Sequence, residues 1–331
     1  MAACTRLALR FHVPIPSLLV VLLVVAQVVA CSSPSDPRSG GDDDVDGGVP
    51  PEEVGPDAPA PATCTGKTAQ PRDATWTVMV GGVARTANVH VPASYDPGRA
   101  TPVVLNIHGR TGSATGMATM TKAIAKSDAE GFILVHPQSG TTPTAWNAGT
   151  CCDPATTNNV DDVGFFGALL DDLESELCID PDRVFAMGMS NGGYMSHTLA
   201  CKMADRIAAI GPVSALLLQS PCTPSRPVPV MMINGTADSL SQYQFVGQGV
   251  TFWSNKNQCT SESQTFQSGD TTCVTRGNCT DGADVTLCTV MDGGHQWPGG
   301  DALPFLGKKT DAIIATDAVW EFFRAHPRSA I

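Results

Sequence analysis

The stretch Val184-Phe185-Ala186-Met187-Gly188-Met189-Ser190-Asn191-Gly192-Gly193 constrains this chain more than any other. A short apolar run of strand character leads into the pattern G-x-S-x-G, and residues 194–203 then read as helix. Strand, tight turn, helix is the context in which such a serine is lifted clear of a sheet. The glycines two positions to either side remove side chains that would collide at the turn. The helix start brings its positive end and the N–H of Asn191 beside Ser190, where developing negative charge would be stabilised. Out of context the same letters describe an ordinary glycine-rich turn, so an acid and a histidine must follow at other strand ends.

The surrounding sequence has the matching alternation. Two β-rich runs, 76–80 and 83–91, flank Gly81-Gly82, a two-residue hairpin signal. Strands are expected at 102–109, 132–136, 183–187, 208–213, 228–233 and 285–290, with helices at 114–130, 163–177, 194–203, 245–255 and 311–324. An antiparallel hairpin followed by repeated strand–helix units predicts an α/β class, a mostly parallel sheet with helices on both faces.

Chemistry in such a sheet sits at the carboxyl ends of strands. Residues 228–233 lead into Asn234-Gly235-Thr236-Ala237-Asp238, and 285–291 lead into Asp292-Gly293-Gly294-His295-Gln296-Trp297-Pro298-Gly299. Ser190, Asp238 and His295 thus follow one another in the chain order of the α/β-hydrolase triad. Asp292 is the rival acid, but it shares a loop with His295, whereas Asp238 arrives on a separate strand end. Asp161 and Asp162 read as helix caps. His108-Gly109 ends an earlier strand, so the N–H of Arg110 is the expected second oxyanion donor beside that of Asn191. His108 reads as structural, and His90, His136, His197 and His326 as packing or surface residues. Neither H-E-x-x-H nor paired C-x-x-C occurs, which argues against a metal hydrolase, and no cofactor is expected.

Several separate motifs resemble one family. Leu105-Asn106-Ile107-His108-Gly109, Trp146-Asn147-Ala148-Gly149, Cys151-Cys152, Val160-Asp161-Asp162-Val163-Gly164-Phe165, the Ser190 turn and Gly294-His295-Gln296-Trp297-Pro298-Gly299 together resemble the secreted polyhydroxybutyrate depolymerase and feruloyl esterase family, over about residues 75–325. The resemblance implies an α/β-hydrolase with Ser190 as nucleophile, Asp238 as acid and His295 as base, acting on carboxylic esters. It also places Trp297 near substrate. Asn234 departs from the histidine usual in the family's acid loop. Trp146 lies on a long loop at the same sheet edge, and both indoles are expected as apolar walls around an acyl chain or phenolic ring; the alternative is that they pack the loops. An acyltransferase on the same fold, or an inactive surface binding protein, are the competing readings. Nothing resembles a polymer-binding module, which favours soluble hydroxyalkanoate oligomers or phenolic esters as substrates.

The remainder of the chain bears on location. Residues 1–30 read as a lipoprotein-type signal peptide, with Arg6 and Arg10 ahead of an apolar run ending Val28-Val29-Ala30-Cys31, where Cys31 would carry the lipid. Cleavage without lipid is the alternative. Residues 31–70 read as an acidic Pro/Gly-rich linker, with eight Asp/Glu against one Arg through residue 63. Within it Asp42, Asp44, Asp46, Gly47 and Glu53 match a calcium-loop pattern, but Pro50-Pro51 blocks the exit helix that such a loop needs. Residues 71–331 form the expected catalytic domain. The net charge of -12 argues against a nucleic-acid partner, leaving membrane contact through the lipid alone.

Ten cysteines remain beyond Cys4 and Cys31, an even number in an exported chain, so disulfides are expected. The helix after Ser190 and the loop feeding the strand at 228 both reach the lower sheet edge, pairing Cys201 with Cys222. A hairpin around Asp281-Gly282 sets Cys273 opposite Cys288, leaving Cys259 for Cys279. Cys64, Cys151, Cys152 and Cys178 stay unassigned.

Overall fold

The computed structural model describes residues 64–328. The expected signal segment, Cys31 and the acidic stretch through residue 63 lie outside them. Ten strands form one sheet in the order β1-β2-β4-β3-β5-β6-β7-β10-β9-β8. β1 (Asp73–Val80) and β2 (Val83–His90) make the antiparallel hairpin, with Val80 opposite Val83 across Gly81-Gly82. β3 (Thr101–Ile107), β4 (Ile133–Pro137), β5 (Ile179–Met189), β6 (Ala209–Val213), β7 (Val230–Gly235) and β10 (Val285–Val290) form the parallel centre. β3, β4, β6 and β7 are buried throughout, as strands covered on both faces must be.

Helices fill both faces. Phe165, Leu169 and Leu173 of α3 (Asp162–Glu176) and Met195 and Leu199 of α4 (Asn191–Lys202) join the core on one face. Val319 and Phe323 of α6 (Ala315–Ala325) pack on the other, with Phe323 stacked on Phe185 of β5 at 4.7 Å. α5 (Val246–Lys256) buries Trp253, whose Nε1–H donates to His197.

Two features depart from expectation. The helix expected over 114–130 is two helices, α1 (Ala114–Thr121) and α2 (Ala123–Glu130), because Lys122 sits at φ 55° between them. β8 (Ser261–Ser268), not among the expected strands, pairs antiparallel with β9 (Thr271–Gly277) at the sheet edge. Its Ser-Glu-Ser-Gln-Thr-Phe-Gln-Ser run is polar and almost wholly exposed, so it lacks the alternation of a half-buried strand. A polar edge also resists pairing with other chains.

Five disulfides link the ten cysteines. Cys201–Cys222, Cys259–Cys279 and Cys273–Cys288 are the three expected pairs, the last directly opposite in the β9–β10 register. The unassigned four pair as Cys64–Cys178 and as the adjacent Cys151–Cys152. Cys64 is therefore bonded to the residue just before β5, seven positions ahead of the expected domain start at residue 71. Among the described residues no helix is long and apolar enough to cross a membrane.

Candidate active site

β5 ends at Met189, α4 begins at Asn191, and Ser190 between them has φ 55° and ψ -124°. A left-handed φ is costly for a serine and marks a held turn. Its N–H donates to the carbonyl of Val213 at 3.0 Å, which ties the turn to the end of β6. Packing explains the flanking glycines: a Cβ on Gly192 would lie 2.1 Å from the Ile107 carbonyl oxygen, and one on Gly188 2.5 Å from the Gly192 backbone. Any side chain at either position would push β3 and the turn apart.

Asp238 lies three residues past β7 and His295 five past β10, on neighbouring parallel strands. Their side chains meet, His295 Nδ1 to Asp238 Oδ2 at 2.8 Å, and both residues are buried. The other carboxylate oxygen, Oδ1, accepts the N–H groups of Leu240 and Ser241, each at 2.8 Å. Asp238 is thus held as an acceptor, with His295 Nδ1 as a donor and Nε2 left for another partner. Asp292, the rival acid, is exposed, and its backbone N–H donates to Thr236.

Ser190, His295, Arg110 and His108 line one cleft of about 650 Å³ at this sheet edge. Apolar residues dominate the remaining wall, among them Met117, Met120, Leu240, Leu303 and Leu306. His108 is occupied at both ring nitrogens, Nδ1 with the Gly109 carbonyl at 2.7 Å and Nε2 with the Ser139 N–H at 3.2 Å. Burial holds its pKa below the ordinary histidine value. Neutral and doubly bonded, it braces the loop that carries Arg110.

Asn191 is fully buried, and its side chain reaches across to the backbone of Trp146. Trp146 and Trp297 do not line the cleft, contrary to expectation. Trp146 donates its indole N–H to the His108 carbonyl at 2.9 Å and packs against Phe165 and Phe166. Trp297 donates to Thr316 Oγ1 at 3.1 Å in the core under α6. Both indoles are wholly buried, so each serves the loops and not the cleft surface.

Other connections escape sequence reading. Tyr194, four residues after Ser190 and lining the cleft, hydrogen-bonds Ser241 at 2.7 Å, and Ser241 Oγ donates to the Ser214 carbonyl. Ser214 in turn donates to the Gln296 carbonyl at 3.0 Å. The helix after Ser190, the Asp238 loop and the His295 loop are therefore stitched together by hydroxyls. Asp161 caps α3 as expected, accepting the Gly164 N–H. Asp162 does something else: it is buried, pairs with Arg85 at 2.7 Å and accepts the Asn147 N–H at 2.7 Å. The only sequence signal was a pair of adjacent acids ahead of a helix. A hydrophilic helix start gives no hint that the second acid turns inward.

The profile of the Esterase family matches residues 81–294, which runs from the β1–β2 turn to the residue before His295. The chain belongs to the Esterase family. Among its esterase relatives, feruloyl esterase B of Piromyces equi is 33% identical over 233 residues, 64% of this chain. The chain spans only 42% of that relative's length. Feruloyl esterase D of Neurospora crassa is 28% identical over 285 residues, covering 80% of this chain and 91% of its own. The acetyl xylan esterase of Aspergillus awamori superposes with a TM-score of 0.59 at 14% identity, over 76% of this chain and 99% of its own. The esterase family and its α/β-hydrolase fold agree with the resemblance carried by the motifs.

Proposed function

We propose that this esterase-family chain is an exported carboxylic-ester hydrolase that works through an acyl-enzyme on Ser190. The observation that carries the reading is the hydrogen bond between buried Asp238 and His295, which lines the same cleft as Ser190 at its strained turn. With Nδ1 engaged by Asp238, His295 accepts the serine proton at Nε2 as Ser190 Oγ attacks the ester carbonyl. The tetrahedral oxyanion faces the N–H groups of Arg110 and Asn191, donors set before reaction begins. The imidazolium, stabilised by Asp238, gives its proton to the departing alcohol, and water then repeats the sequence to free the acid.

The apolar cleft wall suits an acyl chain or an aromatic acid, in keeping with the feruloyl and acetylxylan esterases among the relatives. Five disulfides support an oxidising compartment. A lipid on Cys31 would hold the enzyme at the cell envelope by the acidic tether.

Release of acid from 4-nitrophenyl acetate, methyl ferulate and a hydroxybutyrate trimer tests the reading. Asp238→Asn is expected to abolish turnover and Asp292→Asn to leave it; the opposite pattern would transfer the acid role to Asp292.

A further inference from the structure

The cleft carries one charge that ester hydrolysis does not need. Arg110 lines it and is exposed, and among the described residues no carboxylate pairs with its guanidinium. Its Nε donates to the carbonyl oxygen of Asp153 at 3.1 Å, beside the Cys151–Cys152 disulfide that forms part of the same wall. The Asp153 carboxylate is turned to Thr157, accepting both its N–H and its hydroxyl. The guanidinium is therefore anchored at one nitrogen by a backbone group, while its two terminal nitrogens remain for a ligand. That edge is the fork that matches the two oxygens of a carboxylate.

The surroundings strengthen the case. Among the described residues no Asp, Glu or Lys lines the cleft, and its other basic group apart from His295 is His108, whose Nε2 is taken up accepting the Ser139 N–H. Against an apolar wall an unpaired cation attracts an anion more strongly than it would in open water. The chain as a whole carries a net charge of -12, so the guanidinium in the cleft is not part of a generally basic surface.

We propose that the Arg110 guanidinium is an anion-recognition subsite, through which the cleft prefers esters that carry a free carboxylate beyond the scissile bond. The inference rests on the ester-hydrolase reading. Backbone and side chain of Arg110 then have separate tasks: the N–H meets the oxyanion, and the guanidinium reads substrate charge.

Two matched pairs test it on the intact protein. One is a hydroxybutyrate dimer as free acid against its terminal carboxamide, with the charge on the alcohol side. The other is the 4-nitrophenyl monoester of adipate against 4-nitrophenyl hexanoate, with the charge on the acyl side. The readout is the anionic-to-neutral ratio of kcat/KM, in which any general loss from altering Arg110 divides out. In at least one pair Arg110→Gln is expected to lower this ratio about tenfold, the scale of one charged hydrogen bond in a partly open cleft. Arg110→Lys is expected to restore part of it, and added salt to compress the wild-type ratio. A ratio unchanged by Arg110→Gln in both pairs overturns the subsite while leaving ester hydrolysis intact. If wild type hydrolyses none of the four esters, the hydrolase reading fails and the proposal falls with it.

Discussion

The side-chain amide of Asn191 pairs in both directions with the backbone of Trp146, accepting its N–H at 2.7 Å and donating to its carbonyl at 3.0 Å. A residue first noticed for its own backbone N–H thus also clamps the loop that runs from β4 to α3. The next residue on that loop, Asn147, is fixed by Asp162, so the Arg85–Asp162 ion pair reaches the Ser190 turn through two peptide units.

Asn191→Ala leaves the buried Trp146 N–H without a partner, while the Trp146 carbonyl keeps the Cys152 N–H at 3.0 Å. The expected cost is about 1–3 kcal/mol of stability, the desolvation penalty of one unsatisfied buried donor. The loosened turn is also expected to lower kcat more than it raises KM if the Asn191 N–H is the oxyanion donor proposed above. Thermal unfolding together with steady-state kinetics checks both; a loss confined to KM would contradict the positioning role.

Trp297→Ala separates loop support from substrate contact. With its indole buried and bonded to Thr316, truncation is expected to cost about 3–5 kcal/mol, as for other large core aromatics. Any loss of kcat/KM at low temperature is expected to be the same proportion for 4-nitrophenyl acetate, methyl ferulate and a hydroxybutyrate trimer. A selective loss on the bulky esters would put the indole in the cleft after all.

The two tryptophans and the three residues of the proposed triad differ in how far local sequence determines their placement. That Ser190, Asp238 and His295 lie at one sheet edge is legible in the sequence, because each follows a strand and strand ends in a parallel sheet share that edge. The β9–β10 disulfide was legible for the same reason, since register sets Cys273 against Cys288. A strand end fixes where a backbone emerges, but which way a loop side chain turns depends on the packing of several loops at once. Trp146, Trp297 and Asp162 all turned inward on partners distant in sequence. The inward turn of Asp162 required Arg85, 77 positions away, and nothing local announces that pairing. β8 failed for a simpler reason: a strand with one free edge and exposed side chains needs no apolar period.

Two buried histidines predict acid sensitivity. Burial holds the pKa of His197 down to about 3 and that of His136 to about 4, against an ordinary value of 6.5. Below pH 6.5 the unfolded chain binds protons that the folded chain refuses, so their contribution is complete above that pH and is lost as pH falls toward 4. Each histidine costs up to about 1.4 kcal/mol per pH unit in this window. Denaturant midpoints between pH 7 and 4.5 are expected to fall, and His197→Gln to flatten the slope by one histidine's share. An unaltered slope in that variant would mean His197 is protonated in the fold.

Every step of the proposed reaction requires Ser190. The most direct measurement is mass spectrometry of the protein after a fluorophosphonate probe, with the modified peptide sequenced. A single adduct on Ser190 is predicted, abolished in Ser190→Ala, in step with a loss of ester turnover of at least a thousandfold, roughly the scale seen when a triad serine is removed. An unlabelled Ser190 in a protein that still cleaves esters, or undiminished turnover by Ser190→Ala, would contradict it.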